Sequence, residues 1–148
     1  MMRSGPMVRS RAAEKRYLEQ RRMVCLDGCA FCDLVKKGGD QVVKKTKHCL
    51  IVKNIFSYDI WDGCGVVEHL MVIPQQHTAS LADLSHEERV DYMDQLAQFE
   101  AQNYSLYARS PGNITKSVTH QHMHLIKIDN KRKKFLFYLR KPHVLFSK

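Results

Sequence analysis

The stretch Ser117-Val118-Thr119-His120-Gln121-His122-Met123-His124-Leu125-Ile126 constrains this chain more than any other. Its apolar end and its alternation predict a strand from His120 to Ile128. Side chains two residues apart on a strand share a face, so His120, His122 and His124 would line one side at intervals of about 6.6 Å. At that spacing neighbouring rings can serve one small site without all three chelating a single ion. A lone histidine here would read as a packed residue satisfied by backbone carbonyls. Three in alternation are poorly explained by packing, because burying ionisable groups is costly unless they are used. Metal ligation, nucleophilic attack and proton transfer are the three jobs open to them.

The rest of the chain supplies a sheet for that strand. Gln41 to Lys45 and Cys49 to Lys53 read as a hairpin around Lys47-His48. Val66 to Pro74 is apolar and β-prone, a buried strand that Pro74 ends. Ser85 and Glu88 have capping-box spacing and open the clearest helix. Along it Val90, Met93, Ala97, Ala101 and Tyr104 recur at three and four residues, a stripe expected to pack on the sheet. Pro111-Gly112 ends that segment, and Ile114 to Val118 reads as a further short strand. Strands, one long helix, then strands again argue for an α+β fold with a mainly antiparallel sheet.

With 148 residues, 44% of them apolar, the chain suits one domain plus an appendage. Residues 1 to 23 form a basic N-terminal extension, in which Arg11 to Val24 has moderate helical periodicity. Residues 24 to 148 are the domain itself, with a basic C-terminal segment. The net charge of +9 is uneven: residues 1 to 22 carry seven Lys/Arg against two acids, and Lys127 to Lys141 carries seven against Asp129. Between Asp59 and Glu100 nine acids face only Arg89. Basic ends of this kind attract polyanions, nucleic acid among them, although such runs are as often plain solvated faces. No apolar run approaches the roughly 20 residues of a membrane span. The N-terminus lacks the apolar middle of a secretory signal, so a cytoplasmic protein without membrane attachment is expected.

Five cysteines in such a chain argue against a disulfide framework and for metal binding or burial. Cys29-Ala30-Phe31-Cys32 offers two thiolates. His77, after the rigid Val72-Ile73-Pro74 turn, and His120 would complete a closed tetrahedral Cys2His2 shell, the pattern of structural zinc. Cys25 is a competing ligand. A catalytic zinc does not fit, since four protein ligands leave no position for water.

Taken together, these blocks resemble the histidine triad (HIT) superfamily. The mark is His120-Gln121-His122-Met123-His124-Leu125-Ile126, in which only Gln121 departs from the apolar pattern. His69-Leu70-Met71-Val72-Ile73-Pro74-Gln75-Gln76-His77 resembles the strand upstream, and Cys29-Ala30-Phe31-Cys32-Asp33-Leu34 is similar to the opening of zinc-containing members. The resemblance implies a HIT-like sheet with one long helix packed on it, a homodimer, and structural Zn2+ on Cys29, Cys32, His77 and His120. It implies a nucleotide or nucleotide conjugate as substrate, a hydrolase or nucleotidyltransferase, and His122 as the nucleophile that forms a nucleotidyl-histidine. Ser117 and His124 would assist it.

The sequence departs from the family pattern where the substrate is held. Lys116 stands where the family often has glutamine, a cation able to hold phosphate. Lys53-Asn54-Ile55-Phe56 resembles the Asn-x-Phe element of the uridylyltransferase and dinucleotide phosphorylase branch, and Asp62 lies about where a ribose-binding acid sits. Substrate-binding roles are therefore expected of Lys116, His124, Asn54 and Asp62. The alternative reading is a zinc-braced nucleotide sensor or nucleic-acid binder without turnover.

Overall fold

The computed structural model describes residues 7–10, 12–19 and 28–132. Its elements are β1 (Met7–Val8), a helix over residues 12–19 (α1), α2 (Ala30–Lys37), β2 (Val42–Lys45), β3 (Cys49–Lys53) and β4 (Ile60–Trp61). There follow β5 (Cys64–Pro74), a 3-10 turn (Leu81–Asp83), α3 (His86–Glu100), β6 (Ser105–Tyr107) and β7 (Met123–Arg132). Among the described residues the strands form one antiparallel sheet of seven. β5 is its spine. It takes β4 and β3 along one edge and β7 along the other, with Met71 opposite His124 and Leu70 opposite Leu125.

Period-two alternation divides this sheet between two helices. Ile51, Leu70, Val72 and Leu125 point to one face, where Tyr92, Leu96 and Tyr104 cover them. Leu50, Val52, Met71 and Ile73 point to the other, under Phe31 with Leu34 and Val35 of α2. Both faces are covered, so residues 49–52 are buried without interruption. The expected hairpin is present, pinned at its turn by Asp91, whose carboxylate accepts Thr46 Oγ1 at 2.6 Å and His48 N–H at 2.8 Å.

α3 begins where the sequence places it, with both arms of the Ser85–Glu88 capping box formed. The stripe is different. Tyr92, Gln95 and Leu96 are the buried residues of α3, while Val90 and Met93 are 46% and 62% exposed. Two apolar rows at helical spacing were available, and the row carrying Tyr92, Leu96 and Phe99 has more area to bury. The helix also stops earlier than expected, at Glu100. Asn103 turns the chain with a φ of 67°, and Tyr104 packs from beyond the helix as β6 begins.

Two expected strands are altered. Ile114 to Val118 is not a strand: the Asn113 side chain accepts Thr115 N–H at 2.9 Å, and turn chemistry after Pro111-Gly112 outweighs β propensity there. β7 begins only at Met123, so of the three alternating histidines just His124 is in the ladder. The preceding residues pair elsewhere, Gln121 N–H donating to the Thr78 carbonyl at 2.6 Å.

The helix register yields a direct check. Leu96→Ala should lower the unfolding free energy by about 2–5 kcal/mol through lost burial and a residual cavity. Met93→Ala should stay within about 0.5 kcal/mol. Denaturant melts of the two variants decide it, and a larger loss at Met93 would invert the assignment.

Candidate functional site

The sheet face under α2 carries the chemistry. Three neighbouring groups of histidines meet there, and hydrogen bonds to backbone groups fix the tautomers of His120, His122 and His69.

The first cluster joins α2 to the loops ending β5 and opening β7. Cys29, Cys32, His77 and His120 bring one ligand atom each to within 4.8 Å of one another. Cys32 Sγ lies 3.1 Å from His77 Nδ1, and His120 Nδ1 lies 3.5 and 3.6 Å from Cys29 and Cys32 Sγ. A tetrahedral ion with metal–sulfur bonds near 2.3 Å and metal–nitrogen bonds near 2.0 Å has S···N edges of about 3.5 Å, so the spacing suits one. His120 Nε2 sits 2.8 Å from the Pro74 carbonyl, which can only accept. Nε2 therefore holds the proton, and the lone pair on Nδ1 faces the thiols, the arrangement metal-bound imidazoles use. The residues present fit a metal ion. The competing Cys25 lies outside the described residues.

The second cluster is His122, whose tautomer is the reverse. Its Nδ1 is 2.8 Å from the His120 carbonyl, so Nδ1 donates and Nε2 keeps the lone pair. Phe31 meets this ring at 5.1 Å and the His120 ring at 5.8 Å, both edge-on, so one residue between the two cysteines positions both histidines. Burial pushes the His122 pKa below its usual value, which keeps the ring neutral.

The third cluster is His124 with His69, and here the sequence reading missed a residue. Both side chains lie on the Met71 face of the sheet, diagonal across the β5–β7 pair. Tyr58 N–H donates to His69 Nδ1 at 3.2 Å, so the His69 proton is on Nε2 and is donated to His124 Nδ1 at 2.9 Å. Neutral His124 then carries its own proton on Nε2, ready to donate. Asn54 sits beside this relay: its Oδ1 accepts Phe56 N–H at 2.9 Å, while Nδ2 stands 3.1 and 3.5 Å from the two nitrogens of His69. Only a position over the ring face satisfies both distances. Burial, with a smaller contribution from the Arg9 charge, pushes the His69 pKa down to about 3. Burial likewise lowers His124 well below its usual value, with His122, His69, Arg109 and Arg9 adding to it. In the sequence His69 opens the block that resembles the family's upstream strand, but its place beside His124 means nothing until β5 is known to pair with β7.

A cavity of about 1070 Å³ opens over these groups. His122, His124, Ser117 and Asn54 line it, as does Arg109, whose guanidinium lies 5.3 Å from the Tyr107 ring. Two expected residues sit elsewhere. Lys116 Nζ bonds the Ala79 carbonyl at 3.2 Å and the Gln121 side chain, tying the loop before β7 to the loop after His77. Asp62, with a φ of 50°, forms the β4–β5 hairpin turn with Gly63, a typical pairing for that turn.

Comparison with known proteins agrees with this geometry. The family model of the HIT domain matches residues 36–131. The chain belongs to the histidine triad family. Similar solved structures include a hypothetical protein from Leishmania major, at 24% identity, with 78% of this chain and 85% of that one covered and a TM-score of 0.56. A HIT family hydrolase from Legionella pneumophila has 22% identity, coverage of 71% and 95%, and a TM-score of 0.51. A histidine triad nucleotide-binding protein from Candida albicans has 16% identity, coverage of 79% and 87%, and a TM-score of 0.52. At such identities the likeness carries the fold. No curated protein matches the chain in sequence. Among the described residues no helix is long and apolar enough to cross a membrane.

The His69 relay has a pH signature. The unfolded chain takes up a proton on this residue near pH 6.5, whereas the folded chain resists until about 3. A depressed pKa therefore contributes stability that is complete above about 6.5 and lost as pH falls toward 3. Urea melts of wild type at pH 7 and pH 4 should differ by more than the same pair for His69→Asn. Equal differences would mean that His69 is not held neutral.

Proposed function

We propose that this HIT protein cleaves a nucleotide conjugate at its α-phosphate through a nucleotidyl-histidine on His122. The observation that carries the reading is the Nδ1 bond of His122 to the His120 carbonyl, which supports Nε2 as a lone pair facing the cavity. In the first step Nε2 attacks phosphorus, the phosphorus–leaving-group bond breaks, and its electron pair departs with the leaving group. His124 Nε2–H and the Ser117 hydroxyl donate to the non-bridging oxygens as charge grows there. Water, or another acceptor hydroxyl, then attacks the same phosphorus, loses its proton, and frees His122 together with the nucleoside monophosphate or its transfer product. Asn54, on this reading, acts by holding His69 and the loop beyond it.

The metal reading is zinc, in a structural role. Cys29, Cys32, His77 and His120 would hold it, and the ion would supply cross-linking of α2 to the two loops rather than any step of the reaction. Its closed ligand set supports this, as does the seat of His122 two residues beyond a ligand. We further propose that the chain pairs with itself as the family resemblance implies, and that the basic ends guide anionic substrates.

Two measurements test these assignments. His122→Ala should lose several orders of magnitude in kcat, the scale of a removed nucleophile, while keeping its metal and its melting temperature. His124→Ala should retain more activity, with a loss of about 10²–10³. Native turnover by His122→Ala, or a nucleotide adduct trapped on any other residue, would remove the mechanism. For the metal, elemental analysis should find one zinc per chain, and Cys29→Ala should lose both the ion and much of the thermal stability. Full stability without metal would refute the structural role.

A further inference from the structure

The HIT-matched segment begins at residue 36, yet part of the cavity wall comes from far upstream: Arg9, Glu14 and Tyr17 line it beside Phe56 and Tyr58. This arm is fastened to the 56–61 segment by several independent contacts. β1 pairs with β4, Met7 opposite Trp61 and Val8 opposite Ile60. Arg9 Nε donates to the Phe56 carbonyl at 2.9 Å, and Ser10 N–H donates to the Asp59 carboxylate. The Arg9 guanidinium lies 4.4 Å from the Tyr17 ring centre and 4.6 Å from that of Tyr58, close enough for cation–π attraction to both. It also pairs with Glu14 at 3.6 Å. Ser10 caps α1, its hydroxyl accepting Ala13 N–H at 3.3 Å.

Arg9 is thus a fastener, and of the three arm residues that line the cavity Tyr17 supplies the aromatic surface. That ring stands edge-on to Phe56 at 5.5 Å, next to Ile55, which is 54% exposed although it lines a concave site. Aromatic and apolar surface inside such a cavity is what a ligand ring covers. The volume of about 1070 Å³ slightly exceeds the roughly 300–1,000 Å³ usual for ligand pockets, leaving room beside the groups on His122.

We propose that Arg9, Glu14 and Tyr17 of this arm form a substrate-contacting wall of the cavity and that Tyr17 is a specificity residue receiving an aromatic ring of the substrate. This rests on the nucleotide-conjugate reading and extends it to the substrate's shape. The ring belongs either to the nucleobase or to an aryl group on the departing side of the phosphorus.

Full-length protein in the His122→Ala background, where bound substrate persists, separates the two. Dissociation constants would be measured by calorimetry for adenosine 5′-phosphoramidate and for the same compound bearing an indolylethyl group on nitrogen. Adding Tyr17→Ala should raise Kd about three- to tenfold, the scale of one aromatic pair, and adding Tyr17→Phe less than twofold. An equal rise for both compounds assigns the wall to the nucleobase, and a rise confined to the indole compound assigns it to the leaving group. Unchanged constants for both would overturn the proposal. So would a Tyr17→Phe variant as weak as Tyr17→Ala, or weakening matched by a large fall in melting temperature, since either marks Tyr17 as scaffold. Failure of otherwise wild-type protein to turn over either compound counts against the hydrolase reading alone and leaves the binding comparison standing.

Discussion

A neutral imidazole has one N–H, and where that proton points decides what the ring can do. In this protein a backbone group makes the choice for three of the five histidines at the site. Pro74 holds the proton of His120 on Nε2, which turns Nδ1 toward the two thiols. The His120 carbonyl holds that of His122 on Nδ1, which leaves Nε2 for the cavity. Tyr58 N–H sets His69, and His69 in turn sets His124. Chemically identical side chains thereby present a lone pair to the thiols, a lone pair to the cavity and an N–H to the cavity within one small volume.

Fixed tautomers require fixed backbone, and the fold supplies it through β5. This strand brings His69 under His124 by its pairing with β7, and it ends at Pro74, whose carbonyl orients His120. α2 covers the same face, and its Phe31 touches both His120 and His122. The Cys2His2 cluster and the candidate nucleophile are therefore parts of one packed unit, and the ring of His122 packs against the helix that follows Cys29 and carries Cys32. Lys116 reinforces the unit from outside by joining the two loops that hold His77 and His120.

The arm changes how far the site extends. The contacts described above that fasten it fall on the 56–61 segment, which also carries the Tyr58 N–H that sets His69. The Tyr58 ring lies tilted against those of His69 and His124, with centres 4.7 and 5.9 Å away, and the Arg9 guanidinium is 4.6 Å from its own centre. A segment outside the matched domain thus packs directly onto the residue that orders the third histidine.

Much of this was legible in the residues alone, wherever the signal is local. The capping box of α3, the hairpin of β2 and β3, and the buried strand ending at Pro74 all follow from side chains acting on their own backbone or from simple alternation. The grouping of Cys29, Cys32, His77 and His120 could be expected because each lies beside a strong local feature, a Cys-x-x-Cys spacing, a proline or the histidine run. Where two local answers were equally good, only packing decided. Either of two apolar rows could have faced the sheet from α3, and the one with larger side chains did. His120 and His122 could have continued the strand, but Thr78 takes the Gln121 N–H first and the ladder starts at Met123. The roles of His69, Tyr58 and Arg9 were not legible in the sequence, because they exist only between segments far apart in the chain. The sequence determined which chemical groups this protein has; the tertiary structure decided where each proton sits, because that depends on which carbonyl or amide lies opposite each ring.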